Sequence, residues 1–273
     1  MGASKISISK NILQKLYIQK NLTPLKIGDK LGCSFKTIRN RLKEYGIPFK
    51  DPAYARMKYD KKDFDGSLVE KSYMIGFRVG DLNVYKKSLK SCTIVVRCHT
   101  TQKQQVIVME SLFGNYGRVT ASLNNGHFHV NCFLNDSFSF LLKKDLSAWN
   151  WIKKMNENVV FAFIAGYTDA EGNFIINQGR ARFKIDSYDV DILSWMSNWL
   201  ESKGIHNKFR IIYKKGEKVP NQSPYPYDLW RLNVNEMNAL DIFITNMIPY
   251  LRHENRIKQA KESLSNINKR KNK

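Results

Sequence analysis

A twelve-residue stretch of this chain lines up, without a gap, on a second stretch ninety positions further on. Tyr73-Met-Ile-Gly-Phe-Arg-Val-Gly-Asp-Leu-Asn-Val84 aligns on Phe163-Ile-Ala-Gly-Tyr-Thr-Asp-Ala-Glu-Gly-Asn-Phe174, so Gly76 falls on Gly166, Gly80 on Ala170, Asp81 on Glu171 and Asn83 on Asn173. A repeat at fixed distance implies two copies of one folding unit. Small residues four apart form one narrow strip on a helix. A glycine inside a helix costs up to about 1 kcal/mol relative to alanine; close approach of two backbones through such strips offsets that cost. Helices crossing there would bring Asp81 and Glu171 side by side at their two C-terminal ends. The negative helix ends and the two carboxylates then repel one another. A divalent cation relieves the repulsion, because Mg²⁺ is held by one or two carboxylates plus water and phosphate oxygens. That is the outline of a metal-assisted phosphodiester site.

Ile164-Ala-Gly-Tyr-Thr-Asp-Ala-Glu-Gly172 resembles the LAGLIDADG motif that names a family of homing endonucleases, and Met74-Ile-Gly-Phe-Arg-Val-Gly-Asp-Leu82 is similar to a looser version of it. The likeness covers about residues 72–261 in two copies, like the single-chain members. It implies an α+β fold of two pseudo-symmetric αββαββα repeats forming a DNA-binding saddle. It also implies a monomer that hydrolyses both strands of double-stranded DNA at a specific site, with Mg²⁺ or Mn²⁺ as cofactor. The family's catalytic, metal-binding acid stands at the eighth motif position, here Asp81 and Glu171. Asp169, at the sixth position, is not that acid, and its counterpart is the apolar Val79. Leu82 replaces the final glycine of the first copy. Family members place a basic residue just after the closing helix of each copy. By resemblance these are Lys143 and Lys144 in the first and Arg252 and Arg256 in the second, where a catalytic and a phosphate-contact role both fit. A transcription regulator or RNA-splicing maturase that keeps the fold without cutting is the alternative reading.

Alternating runs after each motif support half-buried sheets. Ala181, Phe183 and Ile185 alternate with Arg180, Arg182, Lys184 and Asp186; Phe128, Val130, Cys132 and Leu134 with His127, His129 and Asn131. Phe209 and Ile211 alternate with Lys208 and Arg210, and Trp230, Leu232 and Val234 with Tyr227, Arg231 and Asn233. The polar sets suit base edges and phosphates in a groove. Residues 189–204 and 102–113 read as the helices that back the two sheets. His127, His129, Cys98 and His99 lack the spacing of a zinc site, and no nucleophile triad, dinucleotide loop or phosphate-loop lysine is present.

Before the first copy, Thr23 and Pro24 open one short helix that Gly32 closes, and Ser34 opens a second that Gly46 stops. Ile27 and Leu31 mark the inner face of the first helix, Ile38 and Leu42 that of the second; Ile12, Leu13, Leu16 and Tyr17 would supply a third. Over about residues 22–47 this segment resembles bacterial helix-turn-helix DNA-binding domains, although Gly28 stands where alanine is usual. Ser34, Lys36, Thr37, Arg39, Asn40 and Lys43 would meet DNA at its second helix.

Charge agrees with a polyanionic partner. The 273 residues hold 45 Lys+Arg against 24 Asp+Glu, a net +21, of which +9 lies in residues 1–60 and +6 in 251–273. No apolar run approaches a membrane span, the start carries no signal-peptide pattern, and four cysteines without a CxxC pair suit a reducing compartment, the cytoplasm or an organellar matrix or nucleoid. The expected divisions are a helix-turn-helix domain at 1–50, a linker at 51–70, the repeats at 71–158 and 159–265, and a poorly ordered basic tail at 266–273.

Overall fold

The computed structural model describes residues 8–20, 22–49, 59–89, 91–220 and 223–272. It divides into two compact units, residues 1–58 and 59–273, each with its own apolar core.

In the smaller unit Ser9 caps α1 (Lys10–Leu13), which widens into a π-helical turn over Gln14–Gln19. Thr23 caps α2 (Pro24–Leu31) and Ser34 caps α3 (Phe35–Glu44), their hydroxyls accepting from Lys26 N and Thr37 N. Gly32, at φ +68°, turns the chain between α2 and α3 in the left-handed region that glycine enters freely. Leu13, Leu16, Tyr17, Ile27, Ile38 and Leu42 form the core. Ile12, expected inside, is 42% exposed, and the inner face is held by Leu13, Leu16 and Tyr17. Gly28 has a local reason: a Cβ there would lie 2.5 Å from the Cys33 carbonyl, so the turn closes onto bare backbone.

The larger unit is α+β, as the resemblance implies. Its first half runs α4 (Leu68–Asp81), β1 (Asn83–Lys86), β2 (Ile94–Thr100), α5 (Lys103–Phe113), β3 (Arg118–Asn124) and β4 (His127–Leu134). Short helical turns at Asp136–Leu141, α6 (Leu146–Trp149) and Asn150–Lys154 stand where a closing helix was expected. The second half runs α7 (Glu157–Glu171), β5 (Gly172–Asn177), β6 (Arg180–Ser187), α8 (Val190–Ser202), β7 (Lys208–Tyr213), β8 (Leu229–Val234) and α9 (Met237–Met247), followed by α10 (Glu254–Lys271). Each half forms a four-stranded antiparallel sheet with the same order, β1-β2-β4-β3 and β5-β6-β8-β7. Val130, Cys132 and Leu134 in one sheet and Ala181, Phe183 and Ile185 in the other point into the core.

α4 and α7 make the most extensive helix contact of the molecule. Every residue of α7 from Val159 to Asp169 is buried, the pattern of a helix enclosed on all sides. A Cβ on Gly76 would lie 2.1 Å from the Phe163 carbonyl oxygen, and one on Gly166 2.1 Å from that of Tyr73. The small-residue strips are therefore the crossing itself.

Two expectations about the chain's joints are corrected. Of the proposed 51–70 linker, 51–58 lies outside the described residues, and 59–70 is built into the larger unit. Phe64 packs on Tyr116, Phe138 and Phe140, its N–H donates to Ser137 Oγ at 2.8 Å, and Ser67 caps α4. The tail at 266–273 is helix as far as Lys271, because Ile267 is buried in line with Ala260 and Ser263 on one face of α10.

Candidate functional site

Asp81 is the last residue of α4 and Glu171 the last of α7, so the glycine crossing delivers both carboxylates to one place. At that end Gly80 lies against Ala170 and the Glu171 side chain; a Cβ on it would stand 2.4 Å from the Ala170 methyl. Asp81 is open to solvent on one side, yet the protein packed around its carboxylate raises its pKa, with Lys144 opposing. Glu171 is pushed up to about 7, first by burial and then by the charges of Asp81 and Asp189, again opposed by Lys144. Burial and like charge thus act on both acids, and one lysine answers both.

The donor set fits a hard divalent cation. It offers carboxylate oxygens at two helix C-termini, where negative potential is concentrated. Among the described residues no group of three or more His, Cys, Asp and Glu could form a closed metal cage. An ion here would complete its shell with water and phosphate oxygens, as Mg²⁺ prefers.

Around the acids the two halves differ. Asp81 Oδ2 accepts a 2.6 Å hydrogen bond from Nε2 of Gln105, buried on α5. On the other side Tyr167 donates its hydroxyl to Ser187 Oγ at 2.9 Å and to Asp189 Oδ2 at 3.2 Å. Gln105 and Asp189 were not singled out from sequence. Gln105 read as one more residue of an amphipathic helix, and Asp189 as the start of one.

The four basic candidates separate. Lys144 acts on both acids. Lys143 is exposed, and the carboxylate it influences is Asp145. Arg252 lies with its guanidinium 4.9 Å from the Tyr73 ring centroid and 3.8 Å from Glu70 Oε1. Arg256 donates to Gln259 Oε1 at 3.0 Å, and the carboxylate acting on it is Asp169. Both arginines thus belong to the surroundings of Asp169, which is buried and accepts from Tyr73 Oη (2.6 Å), Arg252 N (2.7 Å) and His253 N (3.1 Å). Asp169 fastens the entry of α10 to the helix crossing, a structural task that Val79, at the same motif position of the first copy, does not share.

The polar sheet faces carry the remaining candidates. On the second sheet Asn173, Lys184, Asn233 and Lys208 form one cross-strand row, and Asp186, Arg231 and Arg210 the next. Asp186 grips Arg231 in a bidentate pair at 2.5 and 2.6 Å and holds Lys184 at 3.4 Å, fixing the aim of both. Arg182 is half-buried and Arg180 exposed on the same strand. On the first sheet His129 and Asn131 are half-buried and His127 is exposed. Arg97, unremarked from sequence, bonds Asn131 Oδ1 at 3.0 Å and Tyr85 Oη at 3.2 Å, and so organises that face. Its signal was present in the alternation Val96-Arg97-Cys98. In the smaller unit Ser34, Lys36, Arg39, Asn40 and Lys43 are exposed, whereas Thr37 is half-buried with its hydroxyl 3.0 Å from that of Ser34.

No family model matches the chain. Uncharacterized protein MJ0398 of Methanocaldococcus jannaschii is 22% identical over 205 residues, spanning 71% of this chain and 72% of its own. Among solved structures, the homing endonuclease I-DmoI in complex with DNA and Ca is similar with a TM-score of 0.49 and 15% identity, over 66% of this chain and 90% of that one. Full-length DUF199/WhiA from Thermatoga maritima is similar with a TM-score of 0.47 and 11% identity, over 76% of this chain and 62% of that one. Among the described residues no helix is long and apolar enough to cross a membrane.

Proposed function

We propose that this protein is a site-specific, double-strand DNA endonuclease that uses Mg²⁺ or Mn²⁺ and acts as a monomer, its two sheets forming a saddle over the duplex. The observation that carries this reading is the delivery of Asp81 and Glu171 to one place by a helix crossing in which Gly76 and Gly166 each lie against bare backbone of the other helix. When bound, divalent ions would supply a polarised water and charge neutralisation at phosphorus. Asp81 and Glu171 would hold them, each acid serving one strand. Gln105 would fix the aim of Asp81, and Lys144 would set positive charge beside the phosphate that both acids repel. Arg182, Lys184, Lys208, Arg210 and Arg231, with His127, His129 and Asn131 on the other sheet, would contact backbone and base edges. Arg180 would add a contact at the exposed end of β6.

The test is DNA carrying the uninterrupted host locus, incubated with the protein in Mg²⁺ and in Ca²⁺. Cutting of both strands in Mg²⁺ with binding alone in Ca²⁺ is expected. Binding in both metals without nicking would overturn the nuclease reading and leave a DNA-binding regulator or a maturase.

The smaller unit would add contacts through Ser34, Lys36, Thr37, Arg39, Asn40 and Lys43. Deleting residues 1–58 should weaken binding and flatten its salt dependence. If Lys36, Arg39 and Lys43 each neutralise one phosphate, the slope of log K against log salt falls by about 3. An unchanged slope in a titration from low to moderate salt would remove α3 from the DNA contact.

A further inference from the structure

The two halves of the larger unit differ in the hairpin that joins the last two strands of each sheet. β3 and β4 are joined by Asn125 and Gly126 alone, the shortest connection an antiparallel pair allows. β7 and β8 occupy the same places in the other sheet but are joined through residues 214–228. The described part of this insertion is pinned. Gly216 N donates to Tyr225 O, Tyr225 N to Glu217 O, and Lys215 N to Asp228 Oδ1, at 2.9, 3.1 and 2.7 Å. Tyr225 stacks face to face on Tyr213 of β7, with ring centroids 4.5 Å apart.

Beside the insertion lies a surface concavity of about 620 Å³, lined by Tyr188, Val190, Lys215, Tyr227, Asp228 and Trp230. Its volume falls within the range of about 300–1,000 Å³ usual for small-ligand sites. Tyr188 and Tyr227 are 44% and 65% exposed and meet nearly at right angles, with centroids 6.2 Å apart, like a floor and a wall. Trp230 is backed by Phe209, stacked at 4.8 Å. Exposed aromatic rings offer π-faces to a flat guest. Charge decides which guest. Lys214, Lys215 and Lys218 are all exposed along the insertion against two acids, Glu217 and Asp228, each of which already accepts a backbone N–H, so the margin is net positive and favours a guest that carries a phosphate beside it. Tyr188 and Val190 flank Asp189 in the chain, and the charge of Asp189 acts on Glu171.

We propose that this concavity stacks an unpaired nucleobase of the bound nucleic acid on Tyr188 and Tyr227, with the adjoining phosphate on the lysines of the insertion. It rests on the chain's binding nucleic acid and not on its cutting it. Aromatic platforms of this kind serve any base, because every base has a π-face.

The full chain is titrated with a dye-labelled single-stranded oligothymidylate and with a blunt duplex, followed by anisotropy. Tyr188→Ala and Tyr227→Ala should each weaken oligothymidylate binding by about 5- to 150-fold, the range of one lost base stack, while duplex affinity changes by less than about twofold. Tyr227→Phe should bind like the wild type, and an abasic oligomer should bind the wild type as poorly as oligothymidylate binds the alanine variants. Unchanged oligothymidylate affinity in both alanine variants overturns the proposal, as does its displacement by tetramethylammonium, which would mark a cation cage. A wild type that binds duplex but no oligothymidylate overturns the stacking site alone; one that binds neither overturns the nucleic-acid reading with it.

Discussion

Glu171→Gln is expected to abolish double-strand cutting and, in the absence of metal, to make the protein more stable. Removing one of two charge-bearing catalytic groups should cost at least about 100-fold in rate, with nicking of one strand as the residual activity. The stability gain follows from proton linkage. Glu171 titrates near 7 in the folded chain against an ordinary value of 4.5. Between those values the folded state keeps a proton that the unfolded state has released, so stability falls as pH rises through that window. The full shift corresponds to about 3 kcal/mol at 1.36 kcal/mol per unit, and partial solvent access trims it to about 2 kcal/mol. Thermal melts in chelator at pH 5 and pH 8 measure this directly. The wild type should lose stability between them and regain it with Mg²⁺ at pH 8. Glu171→Gln should show smaller changes of both kinds, since Asp81 remains. Identical melting curves for the two proteins at pH 8 would mean that Glu171 carries no such strain.

Gly166→Ala should have the larger structural effect. In an exposed helix that substitution stabilises by up to about 1 kcal/mol. Here the new Cβ would stand 2.1 Å from the Tyr73 carbonyl oxygen and 2.8 Å from Phe77 N, both backbone atoms of α4. A backbone inside a hydrogen-bonded helix cannot give way as a side chain does, so the helices must separate. The cost should exceed the roughly 1–3 kcal/mol of ordinary overpacking and should displace Asp81 from Glu171 as well. Ala170→Gly, on the same strip, adds no atom and should cost no more than about 1 kcal/mol. Denaturant unfolding of the three proteins separates the outcomes. A Gly166→Ala protein as stable as the wild type would show that the crossing is not the constraint claimed for it.

The helix crossing was legible in the sequence because steric small-residue spacing is local and recurs twice. The strand faces were legible for the same reason, since Ala181-Arg182-Phe183-Lys184-Ile185 states its own orientation. What escaped depended on distances between segments far apart in the chain. Lys143 and Lys144 are neighbours, yet only Lys144 acts on Asp81 and Glu171, and nothing in the pair itself separates them. Arg252 and Arg256 follow the expected closing segment but turn toward Asp169 and Tyr73. Gln105 sits among apolar neighbours on a buried helix face, where an amide gives no sign of the carboxylate it serves. The end of α10 could have been read. Ile257, Ala260, Leu264 and Ile267 repeat at helical spacing, but the dense lysines and asparagines around them suggested a loose tail.

The bare-backbone crossing of α4 and α7 also bears on symmetry. Each half presents to the other the same kind of surface, so the join is of the sort that two identical subunits could make. Two identical subunits, however, would carry every insertion twice, and any duplex they gripped would have to be a palindrome. Holding the two copies in one chain removes that obligation. The 214–228 insertion exists on one side only, and the first acid is held by an amide while the second feels the charge of Asp189, which a tyrosine and a serine hold in turn.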